Sequence, residues 1–254
     1  RDVYLSTTSR RFSAQFVQRR EARSKIAGVD RMLDRTGDAE DRHFWFKALR
    51  RNARLLLERG LAGRTPALIV DCGAGTGRNL DWLQTFGHAV GVELSPTGLE
   101  HGRRHRRQMV QASVTALPFS DAAADVATSF DVLFCLNDAD EQQAVREMWR
   151  ILKPGGVAVV NVAALDMLRG SHSVHTHEQR RYTRPSLRRL LTGAGFTIET
   201  LTFANLSAFP PALAVRWMER MSGKAATASD ADLRVPAAPI NAAFNALASV
   251  GAGW

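Results

Sequence analysis

The stretch from Ala67 to Gly77, ALIVDCGAGTG, constrains the fold of this chain more than any other. Four apolar residues run into an acid and then a turn with glycine at 73, 75 and 77. A short uninterrupted apolar run reads as a strand buried on both faces, the habit of parallel sheets. The glycines that follow let backbone approach a ligand where a Cβ would collide. A strand, a glycine-rich turn and a helix in that order place a ligand at the carboxyl edge of an open α/β sheet.

The rest of the chain repeats the alternation. A helix is expected over 78–86, a strand over 88–92, a basic helix over 96–107 and a strand over 108–112. A fourth strand over 125–130 precedes a helix over 141–152, and Pro154-Gly155-Gly156 turns into a fifth strand over 157–162. A helix over 185–192 leads to a sixth strand over 196–203, and 206–222 and 237–249 read as helical around a loop at 222–232. Strands alternating with helices at this spacing predict a doubly wound, mostly parallel sheet flanked by helices. Before the sheet, 1–25 reads as a loose arm and 26–60 as helix with a break near Gly37-Asp38. No seventh strand stands out before Trp254: either the chain is truncated there or the final strand is missing, which would leave an open sheet edge. The expected organisation is an arm and helical lid at 1–64, a core at 65–205 and a helical cap at 206–254.

Among residues 1–64 there are sixteen Lys and Arg against eight Asp and Glu, whereas the remainder is close to neutral; the formal net charge is +9. A basic arm suits nucleic acid, anionic lipid or an acidic substrate, and equally a solvated Arg-rich helical face. The chain opens on Arg1 rather than Met, as a fragment would, and its start lacks a secretory apolar core. No run reaches the ~20 apolar residues of a membrane-spanning helix. Two cysteines, Cys72 and Cys135, supply neither a disulfide framework nor a metal spacing, and a cytoplasmic setting is the simplest expectation.

The glycine turn belongs to neither common phosphate-binding class. A dinucleotide fingerprint places its third glycine at the sixth position, which is Arg78 here. A Walker loop needs Gly-Lys-Ser/Thr, which is absent. Glu93, ending the second strand, is placed to accept hydrogen bonds from two ribose hydroxyls. The bland alternative is a surface carboxylate.

The set VDCGAGTG (70–77), GVELSP (91–96), ALPFSD (116–121), SFDVLFCLND (129–138) and LKPGG (152–156) resembles the class I S-adenosylmethionine-dependent methyltransferases. Within them it is similar to the methyltransferase type 11 group, over about residues 43–205. The resemblance implies a Rossmann-like methyltransferase sheet, S-adenosylmethionine as cofactor and S-adenosylhomocysteine as product. It implies that Asp71, Gly73 and Gly75 border the methionine part of the cofactor, that Glu93 binds the ribose and that Leu94 packs on the adenine. Cys72, Ala74, Gly77, Phe130 and Asp131 complete the implied cofactor shell. Where the family often has Asp before its Leu-Pro-Phe, this chain has Ser113, so adenine recognition leans on Ser113 and the Val114 backbone. Phe134 and Cys135 replace a frequent Glu-His and make that rim more apolar.

Methyl transfer to a hydroxyl needs a general base, and His172, His175 and His177 form the one cluster suited to that near neutral pH. As polar loop residues they would do nothing more, and as a zinc site they would lack a further ligand, so no metal is expected. Arg180, Arg181 and Tyr182 are candidates for an anionic substrate group, or for support of the fold. Phe44, Trp45 and Phe46 are candidates for a lid over cofactor and substrate, or for ordinary helix packing. The apolar segment 209–218 could line a substrate pocket, touch a membrane peripherally or pack in the cap. The expected activity is methyl transfer to O or N of a small molecule or a glycan or lipid intermediate. The alternatives are an RNA or protein methyltransferase using the basic arm, and a non-catalytic cofactor-binding scaffold.

Overall fold

The structure is a computed structural model that describes residues 39–166, 178–204 and 235–250, with Asp30, Leu33 and Gly37. Its centre is a five-stranded, wholly parallel sheet in the order β3-β2-β1-β4-β5. The strands are β1 (Leu68–Cys72), β2 (His88–Glu93), β3 (Met109–Gln111), β4 (Ala124–Phe130) and β5 (Leu152–Asn161). The helices are α1 (Phe44–Leu61), α2 (Leu80–Leu83), α3 (Pro96–Arg104), α4 (Asp138–Ile151), α5 (Arg184–Gly193) and α6 (Ala238–Val250). Strand order reverses between β1 and β4, and the carboxyl ends of these two strands flank the crevice where open α/β sheets bind ligands.

Alternation along the strands divides the core into two faces. Ile69, Val126 and Val159 pack on one side against Leu49, Ala53, Leu57 and Leu61 of α1 and Leu80 and Leu83 of α2. Val70, Cys72, Val92 and Ala127 pack on the other against Met148 and Ile151 of α4. The apolar residues of α1 recur at helical spacing, which gives the helix one buried stripe. The helix starts at His43, whose ring Nδ1 accepts the Trp45 N–H at 3.1 Å. It ends where Ala62 turns left-handed at φ 48°.

Four features differ from the sequence reading. The helix expected over 78–86 contracts to Leu80–Leu83, with tighter turns on either side. Strand β5 begins at Leu152, before the Pro-Gly-Gly turn. Ala124 pairs with Leu152 and Val126 with Val157, so 153–156 bulge opposite Asp125 alone. The Asp125 carboxylate holds this bulge, accepting from Lys153 Nζ at 2.8 Å and from the Ala67 and Leu68 N–H groups at 2.9 and 3.0 Å. The expected sixth strand does not form among the described residues: 196–203 pair with no described strand. Phe196, Ile198 and Leu201 instead bury against the cluster of Leu133, Phe134, Val145, Leu187 and Leu191. Alternating apolar residues can be satisfied by burial on one face without ladder bonds, and here burial prevailed. The break before α1 also falls at 40–43 rather than at Gly37-Asp38; Gly37 and Ala39 are helical. No described helix is long and apolar enough to cross a membrane. The basic arm, the apolar segment 209–218 and the loop 222–232 lie outside the described residues.

Candidate active site

The glycine turn after β1 is held from within. Gly73 and Ala74 donate their N–H groups to Val92 O at 2.8 and 2.9 Å, and Gly75 donates to Glu93 Oε2 at 2.8 Å. Gly73, Gly75 and Gly77 have φ of +82°, +57° and +75°, a region that L side chains avoid. A Cβ on Gly73 would lie 2.4 Å from Val132 Cγ2, so the turn that follows β4 is seated directly on the glycine turn. Three of the turn's amides are therefore spent on β2, which separates this turn from a phosphate-cradling loop.

Two buried carboxylates flank it. Asp71, next to last in β1, is 1% exposed and accepts from Thr128 Oγ1 at 2.6 Å. Its Oδ2 is buried without a hydrogen-bond partner among the described residues. Burial, opposed by Thr128 and reinforced by nearby Glu93, pushes the Asp71 carboxyl up to about 7. Glu93 ends β2; its Oε1 accepts from the Leu94 and Ser95 N–H groups, each at 2.8 Å. Burial raises its pKa against these backbone donors. A carboxylate offers about four lone-pair sites, so Glu93 retains one. Beside it Leu94 is 49% exposed and presents an apolar side chain to the crevice edge.

The other implied cofactor residues fall into two groups. Cys72 points its thiol into the apolar layer with Val70 and Val92, and burial raises its pKa far above the ordinary range. It can face a ligand only through its backbone. Ser113 shares its hydroxyl with Thr115 Oγ1 at 2.7 Å and takes the Thr115 N–H at 3.2 Å, while Val114 packs inward. Phe130 packs beneath the sheet edge against Trp82. Asp131 follows it with φ 61°, a left-handed conformation that costs a non-glycine residue about 1–2 kcal/mol. Its Oδ1 accepts from Asn161 Nδ2 at 2.7 Å, its carboxylate takes a hydrogen bond from the Trp45 side chain, and Arg181 lies nearby. Burial, opposed by these groups, pushes Asp131 up to about 6.

The candidates for a lid separate. Trp45 reaches Asp131, whereas Phe44 stacks on Phe244 of α6 at 4.9 Å and gives its N–H to Asn241 Oδ1 at 2.9 Å. Residues upstream, which sequence reasoning missed, cover the glycine turn. Glu40 Oε2 accepts from Thr76 Oγ1 at 2.6 Å, Asp41 pairs with Arg78 at 2.6 Å, and Ser95 donates its hydroxyl to Asp30. A Cβ on Gly75 would meet Leu33 Cδ2 at 3.2 Å. No local pattern marks Glu40 or Asp41 as partners of a turn some 36 residues away. Asn161 did carry a signal: it is a polar residue closing an apolar strand at the carboxyl edge.

The three substrate candidates after β5 are engaged with their own fold. Arg180 pairs with Glu141 at 2.9 Å and Asp138 at 2.8 Å and donates to Leu136 O. The Tyr182 hydroxyl donates to Glu141 in the buried layer. Arg181 pairs with Glu178 at 2.8 Å. Of the three, Arg181 stands beside Asp131. His172, His175 and His177 lie outside the described residues, and no metal-binding cluster occurs among the described ones.

Comparison with known proteins agrees with this geometry. Residues 70–160 match the family model "Methyltransferase domain". The chain is 31% identical over 153 residues to a demethylmenaquinone methyltransferase of Clavibacter sepedonicus, covering 57% of this chain and 61% of the relative. It is 30% identical over 151 residues to a malonyl-[acyl-carrier protein] O-methyltransferase of Coxiella burnetii, covering 57% and 52%. The chain thus spans less than two thirds of the length of these relatives. In fold it is similar to a Burkholderia thailandensis 1,6-didemethyltoxoflavin-N1-methyltransferase solved with its substrate and S-adenosylhomocysteine. That likeness has a TM-score of 0.51 at 22% identity and covers 78% of this chain and 83% of the other. A Haloferax volcanii putative methyltransferase in complex with the Trm112 activator gives a TM-score of 0.55 at 24% identity, covering 71% and 80%. Over residues 70–160 this chain thus matches a methyltransferase domain, and its sheet has the Rossmann-like fold of the S-adenosylmethionine-dependent methyltransferases.

Proposed function

We propose that this chain binds S-adenosylmethionine in the crevice between β1 and β4 and transfers its methyl group to an O or N atom of a small molecule or a glycan or lipid intermediate. The observation that carries the reading is the pair of buried carboxylates, Asp71 and Glu93, flanking a glycine turn whose amides are already bonded inside the protein. An acidic lining with few spare N–H donors suits a cationic amino acid and ribose hydroxyls and repels a pyrophosphate. The orphaned Asp71 Oδ2 is an acceptor in want of a donor, and burying such a group unpaired is costly. Glu93 keeps one lone pair for a ribose hydroxyl, and Leu94 offers a surface for the adenine.

The bound sulfonium supplies an activated methyl group, so the protein has to orient the acceptor and exclude water. Leu33, Glu40, Asp41 and Trp45 cover the site from the N-terminal side. His172, His175 and His177 remain the candidate bases for a hydroxyl acceptor. His177→Ala then lowers turnover more than cofactor affinity, and a full-rate variant moves the base elsewhere. The relatives' names point to a quinone and a carrier-bound malonyl group, which makes small acceptors the first to screen. Cys72 and Cys135 remain thiols, in keeping with a cytoplasmic setting. Calorimetric titration with S-adenosylmethionine, S-adenosylhomocysteine and NADH tests the cofactor. Micromolar binding of the two sulfur nucleosides without NADH is expected; no binding by a folded sample refutes the reading.

A further inference from the structure

We propose that Asp131 faces the point of methyl transfer and receives a hydrogen bond from the acceptor, so that the acceptor is a hydroxyl or an amine and not a carboxylate. The inference rests on the cofactor reading above and deepens it.

Three observations place this carboxylate there. Asp131 is the residue after β4, at the point where strand order reverses and ligands of open α/β sheets sit. Val132, its neighbour, is packed on Gly73, so the turn carrying Asp131 abuts the glycine turn itself. The residue is held left-handed at φ 61° with its N–H donated to Asn161 O at 3.1 Å, a conformation that only surrounding structure can maintain.

The carboxylate is also steered. Asn161 Nδ2 from β5 and the Trp45 indole N–H from α1 donate to it from two separate elements. Both donors are neutral, so neither cancels its charge. Of the about four acceptor positions on a carboxylate, two have no donor among the described residues. Among the described residues the charged and titratable neighbours are Arg181, whose guanidinium is paired to Glu178, with Glu178 itself and the thiol of Cys135, which burial beside Asp131 and Glu178 pushes up to about 12. The group raised to about 6 by burial is mostly ionised at neutral pH and accepts hydrogen bonds from O–H or N–H groups. It would repel a second carboxylate, which separates this site chemically from one built for a malonyl carboxylate.

Sinefungin carries an amine on the carbon that replaces the sulfonium, so its N–H groups occupy the place of the transferred methyl. Its affinity reports on what faces that place without any acceptor. The experiment measures sinefungin and S-adenosylhomocysteine by calorimetry on the full chain and on Asp131→Asn at about pH 7.5. It also follows the Trp45 indole N–H by NMR between about pH 5 and 8 without ligand; Trp45→Phe assigns that signal. The expected result is a tenfold or greater loss of sinefungin affinity in the variant, a change within about threefold for S-adenosylhomocysteine, and an indole titration that disappears in Asp131→Asn. Equal losses for both ligands, or none for either, overturn the proposal and leave the cofactor reading intact. Failure of the unaltered chain to bind either ligand overturns both.

Discussion

Thr128→Val removes the hydrogen bond that the Asp71 carboxyl receives inside the sheet. Thr128 is fully buried, and valine has nearly its shape, so the change leaves no cavity and touches no other described partner of Asp71. The cost therefore depends on the charge of Asp71. A hydrogen bond to an ionised group contributes about 1.5–3 kcal/mol, and one between neutral groups about 0.5–1.5 kcal/mol. Because burial lifts Asp71 from an ordinary 3.8 to about 7, the folded chain retains a proton that the unfolded chain has lost. The contribution of this group to stability is thus complete below about pH 4 and is lost as pH rises through about 7. Urea unfolding of both proteins at about pH 5.5 and about pH 8.5 reads the difference directly. The variant is expected to lose about 1 kcal/mol more in the alkaline condition, where Asp71 is ionised and deprived of its donor. Equal losses at the two pH values, or a larger loss in acid, would refute the assignment of a proton to Asp71 near neutrality.

Gly75→Val places a β-branched residue at φ +57° against Leu33 and is expected to abolish S-adenosylhomocysteine binding while the far-ultraviolet circular dichroism remains that of a folded α/β chain. Undiminished affinity would move the cofactor away from this turn. Tyr182→Phe takes a buried donor from Glu141 and is expected to destabilise the fold by about 1–3 kcal/mol with no change in cofactor affinity; a selective loss of affinity would return Tyr182 to the site.

The glycine turn was legible because its chemistry is local. Strand, acid and three glycines occupy eleven consecutive positions, and their conformational demands follow from residue type alone. Glu93 was legible for a similar reason, since it closes a buried run one βα unit later. The order of strands and helices followed from apolar periodicity, and it failed at 196–203. There, alternation predicted pairing, but the side chains found cover on the cluster around Leu133, Leu187 and Leu191 without it. The fate of Arg180 and Tyr182 was not legible. Whether an arginine beside a tyrosine binds a substrate anion or a core glutamate depends on Glu141, about forty residues earlier in the chain.

The sequence by itself therefore determined the doubly wound architecture, the glycine turn and the two acids beside it, because each is written in neighbouring residues. The tertiary structure decided what stands around that turn. It brought Glu40 to Thr76, Trp45 and Asn161 to Asp131, and Thr128 to Asp71. These pairs join separate elements, and no propensity or period encodes them. Their partners are fixed only when helix α1 buries its apolar stripe against the sheet and β4 and β5 align beside β1.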